Sequence, residues 1–227
     1  MDLQQNRQAV LHRITSAEKA AGLPENRVRL LAVSKTFPAA DIETLYCCGQ
    51  RDFGENYIQE WAQKADELKI RCPDICWHLI GQIQSNKSRL AAQADWVHTL
   101  DSLKLAQRLS SQRGEGLPPL QLCIEINISG LDGRHGITPQ ALPELAQAVC
   151  RLPNLRLRGL MCVASAADTE TVRREFQQMQ QLFLLLQQIV PDADTLSMGM
   201  SGDLETAVAC GSTMVRVGGA IFGSRSA

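Results

Sequence analysis

The sequence lacks an excess of either charge. It carries 23 Lys and Arg residues against 24 Asp and Glu residues, a formal net charge of −1 over 227 residues. A domain that binds nucleic acid or an anionic membrane surface usually carries a clustered positive excess. The composition therefore predicts neither nucleic acid nor membrane as a partner.

Long apolar runs are also absent. No stretch reaches the roughly 18 consecutive apolar residues that a transmembrane helix needs. Residues 1–20 are polar and lack the apolar region of a signal peptide. Together these two absences predict a cytoplasmic protein.

Cysteine, metal and dinucleotide motifs are missing as well. Eight cysteines in a chain this long and 44% hydrophobic do not indicate a small disulfide-stapled domain. Cys72 and Cys76 form a C-x-x-x-C spacing, but no second pair or histidine cluster completes a zinc site, so we expect no metal. No Gly-x-Gly-x-x-Gly follows the first predicted strand, which argues against a dinucleotide site. No linker or low-complexity segment divides the chain, which predicts a single domain over residues 1–227.

What is present is a regular alternation of short apolar runs and amphipathic segments. Helices separate eight predicted strands, and one additional helix precedes them at residues 2–22. Strands that alternate with helices favour parallel βαβ units. Eight such units in a chain of this length predict an α/β fold, a TIM-type (β/α)8 barrel with an additional N-terminal helix. An open, doubly wound sheet is the alternative. The predicted strands are 29–35, 52–56, 76–80, 96–100, 120–128, 155–163, 195–200 and 213–217.

The first predicted strand ends in a polar triplet with a lysine at its centre. Four apolar residues at 30–33 run into Ser34, Lys35 and Thr36, and Pro38 follows. Burial lowers the pKa of a lysine, and a neutral amine is a nucleophile toward carbonyl groups, so Lys35 is suited to form a Schiff base. The alternative is a lysine whose long side chain reaches water from the strand end.

In a (β/α)8 barrel, functional residues collect at the carboxyl ends of the strands. Small residues at Ser201–Gly202 and Gly218–Gly219 follow two strands and precede predicted helices, whose free N–H groups attract anions such as phosphate. Arg216 alternates with apolar neighbours, which predicts a side chain directed into the barrel mouth. An arginine paired with a carboxylate is the alternative. The pattern around His78, a lone histidine in an apolar run, favours a hydrogen-bonded structural residue.

A lysine able to form an imine and a phosphate cradle across the same barrel mouth suggest pyridoxal 5′-phosphate. The lysine would hold the aldehyde and the cradle would hold the phosphate. A barrel that binds another phosphate ester, with Lys35 acting only as a charge, stays open as an interpretation.

Eight sequence blocks, spread over nearly the whole chain, carry a family resemblance. In their order along the chain they resemble the pyridoxal phosphate homeostasis protein family. The blocks are LAVSKT at 31–36, FGENY at 53–57, WHLIG at 77–81, QSNK at 84–87, LRGLM at 157–161, LSMGMS at 196–201, GSTMVRVG at 211–218 and IFG at 221–223.

The resemblance implies a barrel like the N-terminal domain of alanine racemase, without the second domain of that enzyme. It implies that Lys35 carries pyridoxal 5′-phosphate as an internal aldimine. It also implies that Ser201, Gly202, Gly218 and Gly219 hold the phosphate and that Arg216 faces the cofactor. The implied pocket is further lined by Asn56, His78, Met161, Ser197 and Met198. Family members are described as binding and delivering the cofactor and keeping its free level low, without established catalytic activity.

Three positions depart from the family pattern. Gly202 stands where many relatives have a bulkier or polar residue, a difference that we expect to be tolerated. Gly219 stands where a serine or threonine is usual, which removes one hydroxyl donor to the phosphate, worth about 1 kcal/mol. Arg134 stands where a lysine is usual, and arginine forms no imine.

The residues favour a carrier over an enzyme. An arginine beside the pyridine nitrogen keeps that nitrogen unprotonated and mutes carbanion chemistry. A racemase with such an arginine needs an acid–base group on each face of the cofactor, but the only tyrosines, Tyr46 and Tyr57, fall within a predicted helix and after the second strand. We therefore expect a protein that buffers the cofactor or delivers it to apoenzymes, and we assign no catalytic residue. An amino-acid racemase or decarboxylase is the alternative. We expect a monomer, with a weak dimer as its alternative.

Overall fold

Eight parallel strands close into a barrel in the computed structural model, which describes residues 2–223. The strands are β1 (Arg29–Val33), β2 (Asp52–Glu55), β3 (Cys76–Leu79), β4 (Trp96–Leu100), β5 (Leu120–Glu125), β6 (Leu155–Met161), β7 (Thr195–Ser197) and β8 (Met214–Val217). Each strand pairs with the next, and β8 pairs with β1 in a register that places Leu31 opposite Arg216. The predicted TIM-type (β/α)8 barrel is confirmed, because the β1–β8 pairing excludes an open sheet.

Helices cover the outside of the barrel. They are α1 (Leu3–Ala20), α2 (Ala39–Cys47), α3 (Ile58–Leu68), α4 (Ser88–Ala91), α5 (Leu103–Gln112), α6 (Leu142–Val149), α7 (Thr169–Ile189), α8 (Leu204–Ala209) and α9 (Gly219–Phe222). The helix predicted over 85–94 is a 3-10 turn, Ser85–Lys87, followed by the short α4. The predicted N-terminal helix is α1, which packs against α2, α8 and α9, beside the seam where β8 meets β1. No helix within residues 2–223 is long and apolar enough to cross a membrane.

Alternation along β1 separates two environments. Leu30 and Ala32 belong to the large apolar core that also contains the buried faces of the helices, whereas Val33 lines a cavity at the barrel mouth. Burial of apolar surface in this outer layer, worth roughly 25 cal/mol per Å², is the main stabilising contribution. A smaller cluster of Trp96, Cys123 and Met161 lies apart from it. The barrel therefore has an apolar outer layer and a separate interior.

Several predicted strands are too long at their carboxyl ends. β1 ends at Val33 rather than at residue 35, β5 at Glu125 rather than at 128, and β7 at Ser197 rather than at 200. Left-handed backbone explains two of these ends, because Thr36 has a φ of 68° and Gly199 a φ of 97°. A strand does not continue through that conformation. The polar residues after these strands consequently lie in turns around the barrel mouth.

Candidate functional site

A cavity of about 500 Å³ opens at the carboxyl ends of the strands, a size common for sites that bind small molecules. Its wall comes from β1 and β8 and from the segments that follow β1, β2, β3, β6, β7 and β8. Val33, Phe37, Ile80, Val163 and Met200 make part of it apolar. The predicted site residues that lie on this wall are Lys35, Asn56, Ser201, Gly202, Arg216, Gly218 and Gly219.

Lys35 lies on the cavity wall just beyond the end of β1. Its side chain lies on the same side of the chain as that of Val33, two residues earlier, and it is half-buried. The next residue, Thr36, has a φ of 68°, a conformation that costs a β-branched residue about 1–3 kcal/mol. Glu60 in α3 holds this turn, because its Oε1 accepts a hydrogen bond from the Thr36 N–H at 2.5 Å. The turn that presents Lys35 is thus strained and held from outside the barrel.

A largely buried charged cluster lies between this turn and α3. We call it the lysine-side cluster, and it consists of Ser34, Glu55, Glu60 and Lys64. Lys64 Nζ donates to Glu55 Oε1 and Glu60 Oε1, each at 2.7 Å, and to the Ser34 carbonyl at 2.8 Å. Ser34 Oγ donates to Glu55 Oε1 at 2.7 Å. Burial raises the pKa of Glu55, although Lys64 and Ser34 favour its ionised form. The cluster ties the Lys35 turn to α3.

Arg216 on β8 is the second charged residue of the wall and is almost wholly buried. Its Nη1 donates to Ser197 O at 2.8 Å and to Ser197 Oγ at 2.9 Å, and its Nη2 donates to Cys162 O at 2.8 Å. These partners are neutral oxygens, which differs from the carboxylate pairing considered from the sequence. Burial lowers the pKa of Arg216, but a guanidinium titrates far above neutral pH and stays charged. A fixed cation therefore lines the cavity.

Glycines leave the backbone of the wall open on its β7 and β8 sides. A Cβ built at Gly202 or Gly219 would meet no atom of the described residues within 4 Å, so their peptide groups are accessible. Gly219 begins α9, and the first N–H groups of a helix have no intrahelical acceptor. An amine, a guanidinium and open backbone N–H groups fit a ligand that carries a carbonyl and a phosphate.

Four residues that the resemblance implies for the pocket lie behind the cavity wall, and the structure does not bring them to its lining. Ser197 contacts Arg216 from the neighbouring strand. Met161 belongs to the small cluster with Trp96 and Cys123, and Met198 belongs to the outer core. All are fully buried or nearly so, which leaves them supporting the wall. The four are His78, Met161, Ser197 and Met198.

His78 is a hydrogen-bonded residue of the barrel, as its sequence pattern indicates. Its Nε2 lies 2.9 Å from Asp52 Oδ1, and its Nδ1 lies 2.9 Å from His98 Nε2. Its ring stacks on Trp96 with 5.2 Å between the ring centroids. Both nitrogens are therefore engaged away from the cavity.

Glu125 and Gln82 form a polar pair outside the described lining of the cavity, and sequence reasoning did not identify it. Glu125 ends β5 and is largely buried, and Gln82 Nε2 donates to its Oε2 at 2.5 Å. Burial raises the pKa of Glu125. The sequence signal for Glu125 is a lone carboxylate within the apolar run at 122–128, a pattern similar to that around His78.

Asp52, Cys76 and His78 place metal-ligand atoms within 4.8 Å of one another. Asp52 and His78 already share a hydrogen bond, and burial raises the pKa of Cys76 to about 12. A thiolate ligand is therefore disfavoured here. The geometry favours a hydrogen-bonded group over a metal centre.

Known proteins resemble this chain along nearly its full length. The model of the family described as alanine racemase, N-terminal domain, matches residues 5–226. The pyridoxal phosphate homeostasis protein of Vibrio alginolyticus is 49% identical over 227 residues, which cover 98% of this chain and 97% of that protein. A solved structure of an unknown protein from Bifidobacterium adolescentis has a TM-score of 0.92 at 35% identity, covering 97% of this chain and 94% of the other. PipY of Synechococcus elongatus, solved with pyridoxal phosphate bound, has a TM-score of 0.78 at 39% identity, covering 94% and 100%. The chain therefore belongs to the alanine racemase N-terminal domain family and, within it, to the pyridoxal phosphate homeostasis proteins.

Proposed function

We propose that this protein binds pyridoxal 5′-phosphate in the barrel-mouth cavity and holds it for delivery to other proteins. The observation that carries the proposal is the wall itself, where the Lys35 amine, the Arg216 guanidinium and the open backbone at Gly202 and Gly219 line one cavity. The bound pyridoxal phosphate in PipY supports the same ligand for this chain.

Lys35 supplies the covalent anchor. In its deprotonated form the amine nitrogen would form a double bond to the aldehyde carbon, and the aldehyde oxygen would leave as water with the two amine protons. Asn56 adds an amide to the same wall. The phosphate is held by backbone N–H groups and one hydroxyl, from Ser201, Gly202, Gly218 and Gly219.

Arg216 favours storage of the cofactor over its use. When bound, pyridoxal phosphate supplies an electron sink whose strength depends on protonation of its ring nitrogen. A cation beside that nitrogen keeps it unprotonated. Among the described lining residues there is no tyrosine, histidine or carboxylate that could serve as a second acid–base group. The Tyr46 hydroxyl donates a hydrogen bond to Asp74 at the surface, and Tyr57 is 60% exposed.

The proposal also covers the oligomeric state, the compartment and the partners of the protein. We infer a monomer that acts in the cytoplasm and serves apoenzymes that require pyridoxal phosphate. All eight cysteines are unpaired, which supports a reducing compartment.

Absorption spectra with borohydride test the binding. We expect the protein loaded with pyridoxal phosphate to show a visible band that borohydride abolishes by fixing the cofactor covalently, and we expect Lys35→Ala to lack that band. Lys104→Ala changes an exposed lysine of α5 and is the control, with the wild-type result expected. A protein that stays colourless with added cofactor would contradict the proposal and favour another phosphate ester.

Incubation of the loaded protein with each amino acid separates a carrier from an enzyme. We expect no steady racemisation or decarboxylation of any of them, and we expect an apoenzyme mixed with the loaded protein to regain activity. Sustained turnover of one amino acid would overturn the carrier function and leave the binding site intact.

A further inference from the structure

A continuous row of hydrogen-bonded side chains crosses the barrel and ends at Arg216. Arg216 Nη1 lies 2.9 Å from Ser197 Oγ, which lies 3.2 Å from His98 Nδ1. His98 Nε2 lies 2.9 Å from His78 Nδ1, and His78 Nε2 lies 2.9 Å from Asp52 Oδ1. We call these five residues the arginine relay. They lie on β8, β7, β4, β3 and β2, and Asp52 is the first residue of its strand, so the row runs from the cavity toward the amino end of the barrel.

The chemistry of the two ends sets the direction of every hydrogen bond. A guanidinium only donates and an ionised carboxylate only accepts. Burial acts to raise the pKa of Asp52, but its hydrogen bond with His78, the charge of Arg29 and a hydrogen bond with Cys76 lower that pKa on balance, so Asp52 is ionised. Burial lowers the pKa of His78 and His98, which keeps each neutral, with one donor and one acceptor nitrogen. Both histidines therefore carry their proton on Nε2, and the Ser197 hydroxyl donates to His98 Nδ1.

Packing alone does not call for such a row. The interior of a TIM-type barrel is usually filled with branched apolar residues. A buried polar network is stable only when all its members are bonded, and here His78, His98 and Ser197 are each 0% exposed. Trp96 stacks on His78 and fixes the plane of its ring. The relay is thus a rigid, fully connected group with one end at the cavity.

We propose that the arginine relay positions Arg216, so that the guanidinium keeps one orientation toward the ring of the bound cofactor. This inference rests on the proposed cofactor binding. Two acceptors of Arg216 are backbone carbonyls, but the third is a hydroxyl that rotates unless an acceptor takes its proton. His98 Nδ1 is that acceptor. Because a guanidinium does not release its proton, the relay orients and polarises Arg216 and delivers no proton to the cavity.

His98 offers a matched pair of variants. In His98→Asn the amide oxygen stands near the place of Nδ1 and accepts the Ser197 proton. In His98→Gln the amide stands near the place of Nε2, and the Ser197 hydroxyl loses its acceptor. Both variants replace a buried imidazole with a buried amide, so they differ mainly in the bond that serves Arg216. Ser197→Ala removes the same support from Arg216 and keeps the test available if His98→Gln does not fold.

The first measurement records the side-chain nitrogen NMR signals of Arg216 in cofactor-free protein. We expect separate, slowly exchanging Nη signals in the wild type and in His98→Asn, and averaged signals in His98→Gln and Ser197→Ala. Separate signals in all four proteins would overturn the proposal, whether or not the cofactor binds.

The second measurement records the visible band and the Kd of the loaded proteins. His98→Asn is expected to keep the wild-type band, whereas His98→Gln and Ser197→Ala are expected to shift it and to raise the Kd about tenfold. A merely structural relay would lower the Tm and leave the band and Kd unchanged, and that result would overturn the proposal. A wild-type protein that takes up no cofactor would contradict the proposed function alone, because the Arg216 signals are recorded without it.

Discussion

The two charged residues among the described lining of the cavity are held in opposite ways. Lys35 follows a strand on a strained turn, which the lysine-side cluster holds from outside the sheet through ion pairs between Lys64 and two glutamates. Arg216 lies within a strand and is held from inside the barrel by a relay whose inner members are neutral. One barrel mouth therefore depends on paired charge on its lysine side and on the direction of hydrogen bonds on its arginine side.

Lys64→Met disrupts the lysine-side cluster and is expected to cause the largest loss of stability. It removes the ammonium group that pairs with Glu55 Oε1. The other carboxylate oxygen, Glu55 Oε2, already accepts no hydrogen bond from the described residues. Loss of one partner from a buried pair costs about 3–5 kcal/mol. Denaturant titration should show a fall of that size in the free energy of unfolding.

Lys69→Met is the control for this change, because Lys69 pairs with Asp66 in an exposed ion pair just beyond the end of α3. Its expected cost is below about 1 kcal/mol. Equal losses in the two variants would show that the burial of the lysine-side cluster is not what makes Lys64 important.

Acidification is expected to change the stability contributed by the two sides of the cavity in opposite directions. Burial lowers the pKa of His78 and His98, so the unfolded chain binds more protons than the folded one below about pH 6.5. Their contribution to stability is present above that pH and is lost as the pH falls, by up to about 1.4 kcal/mol per pH unit for each histidine. Burial raises the pKa of Glu55, so its contribution is present below its ordinary pKa and is lost as the pH rises through the raised value.

Urea unfolding between about pH 5 and pH 7.5 measures both slopes. We expect His98→Asn to flatten the loss of stability on acidification and Glu55→Gln to steepen it. Parallel pH profiles for the wild type and His98→Asn would contradict a neutral His98 in the folded protein.

Gly219→Ser is expected to strengthen phosphate binding on the arginine side of the cavity. A Cβ there meets no described atom within 4 Å, so the new hydroxyl can donate to the phosphate. The expected gain is about 1 kcal/mol, or roughly fivefold in the Kd for pyridoxal phosphate. Gly218→Ser is the contrast, because its Cβ would lie 3.1 Å from the Val33 carbonyl oxygen and would strain the β1–β8 contact. Equal affinities in the two variants would contradict the different exposure of the two glycines.

Thr36→Gly is expected to have the smallest effect, on the lysine side. Glycine adopts the left-handed φ of Thr36 without steric strain, but it adds entropy to the unfolded chain. The net result should be a gain of roughly 0.5 kcal/mol in the free energy of unfolding. Thr44→Gly, at an exposed position of α2, should instead lose roughly 0.3–0.5 kcal/mol. A loss in both variants would show that the Lys35 turn is unstrained.

Local patterns predicted the barrel and most of the cavity wall. Apolar runs mark the strands, and closure of parallel strands brings their carboxyl ends to one mouth, so Lys35 after β1 and Arg216 on β8 were expected together. The exact strand ends were missed because they depend on turn conformation, such as the positive φ of Thr36, a residue that rarely adopts it.

Local sequence patterns did not predict the residues that support the cavity wall. Lys64 in sequence resembles a solvated helix residue, and only the packing of α3 on the barrel buries it against Glu55. His98 and Ser197 are 99 residues apart, and their contact depends on which strands face each other across the closed barrel. Such contacts follow from register and closure, which no single segment specifies.

Peptide mapping after borohydride reduction tests the cofactor site most directly. The loaded protein is reduced and digested, and the modified lysine is identified by mass spectrometry. We predict a single adduct, on the peptide that contains Lys35, at a stoichiometry near one per chain. An adduct on a different lysine of the wild-type protein, or no adduct at all, would contradict the assignment of Lys35 as the anchor in this cavity.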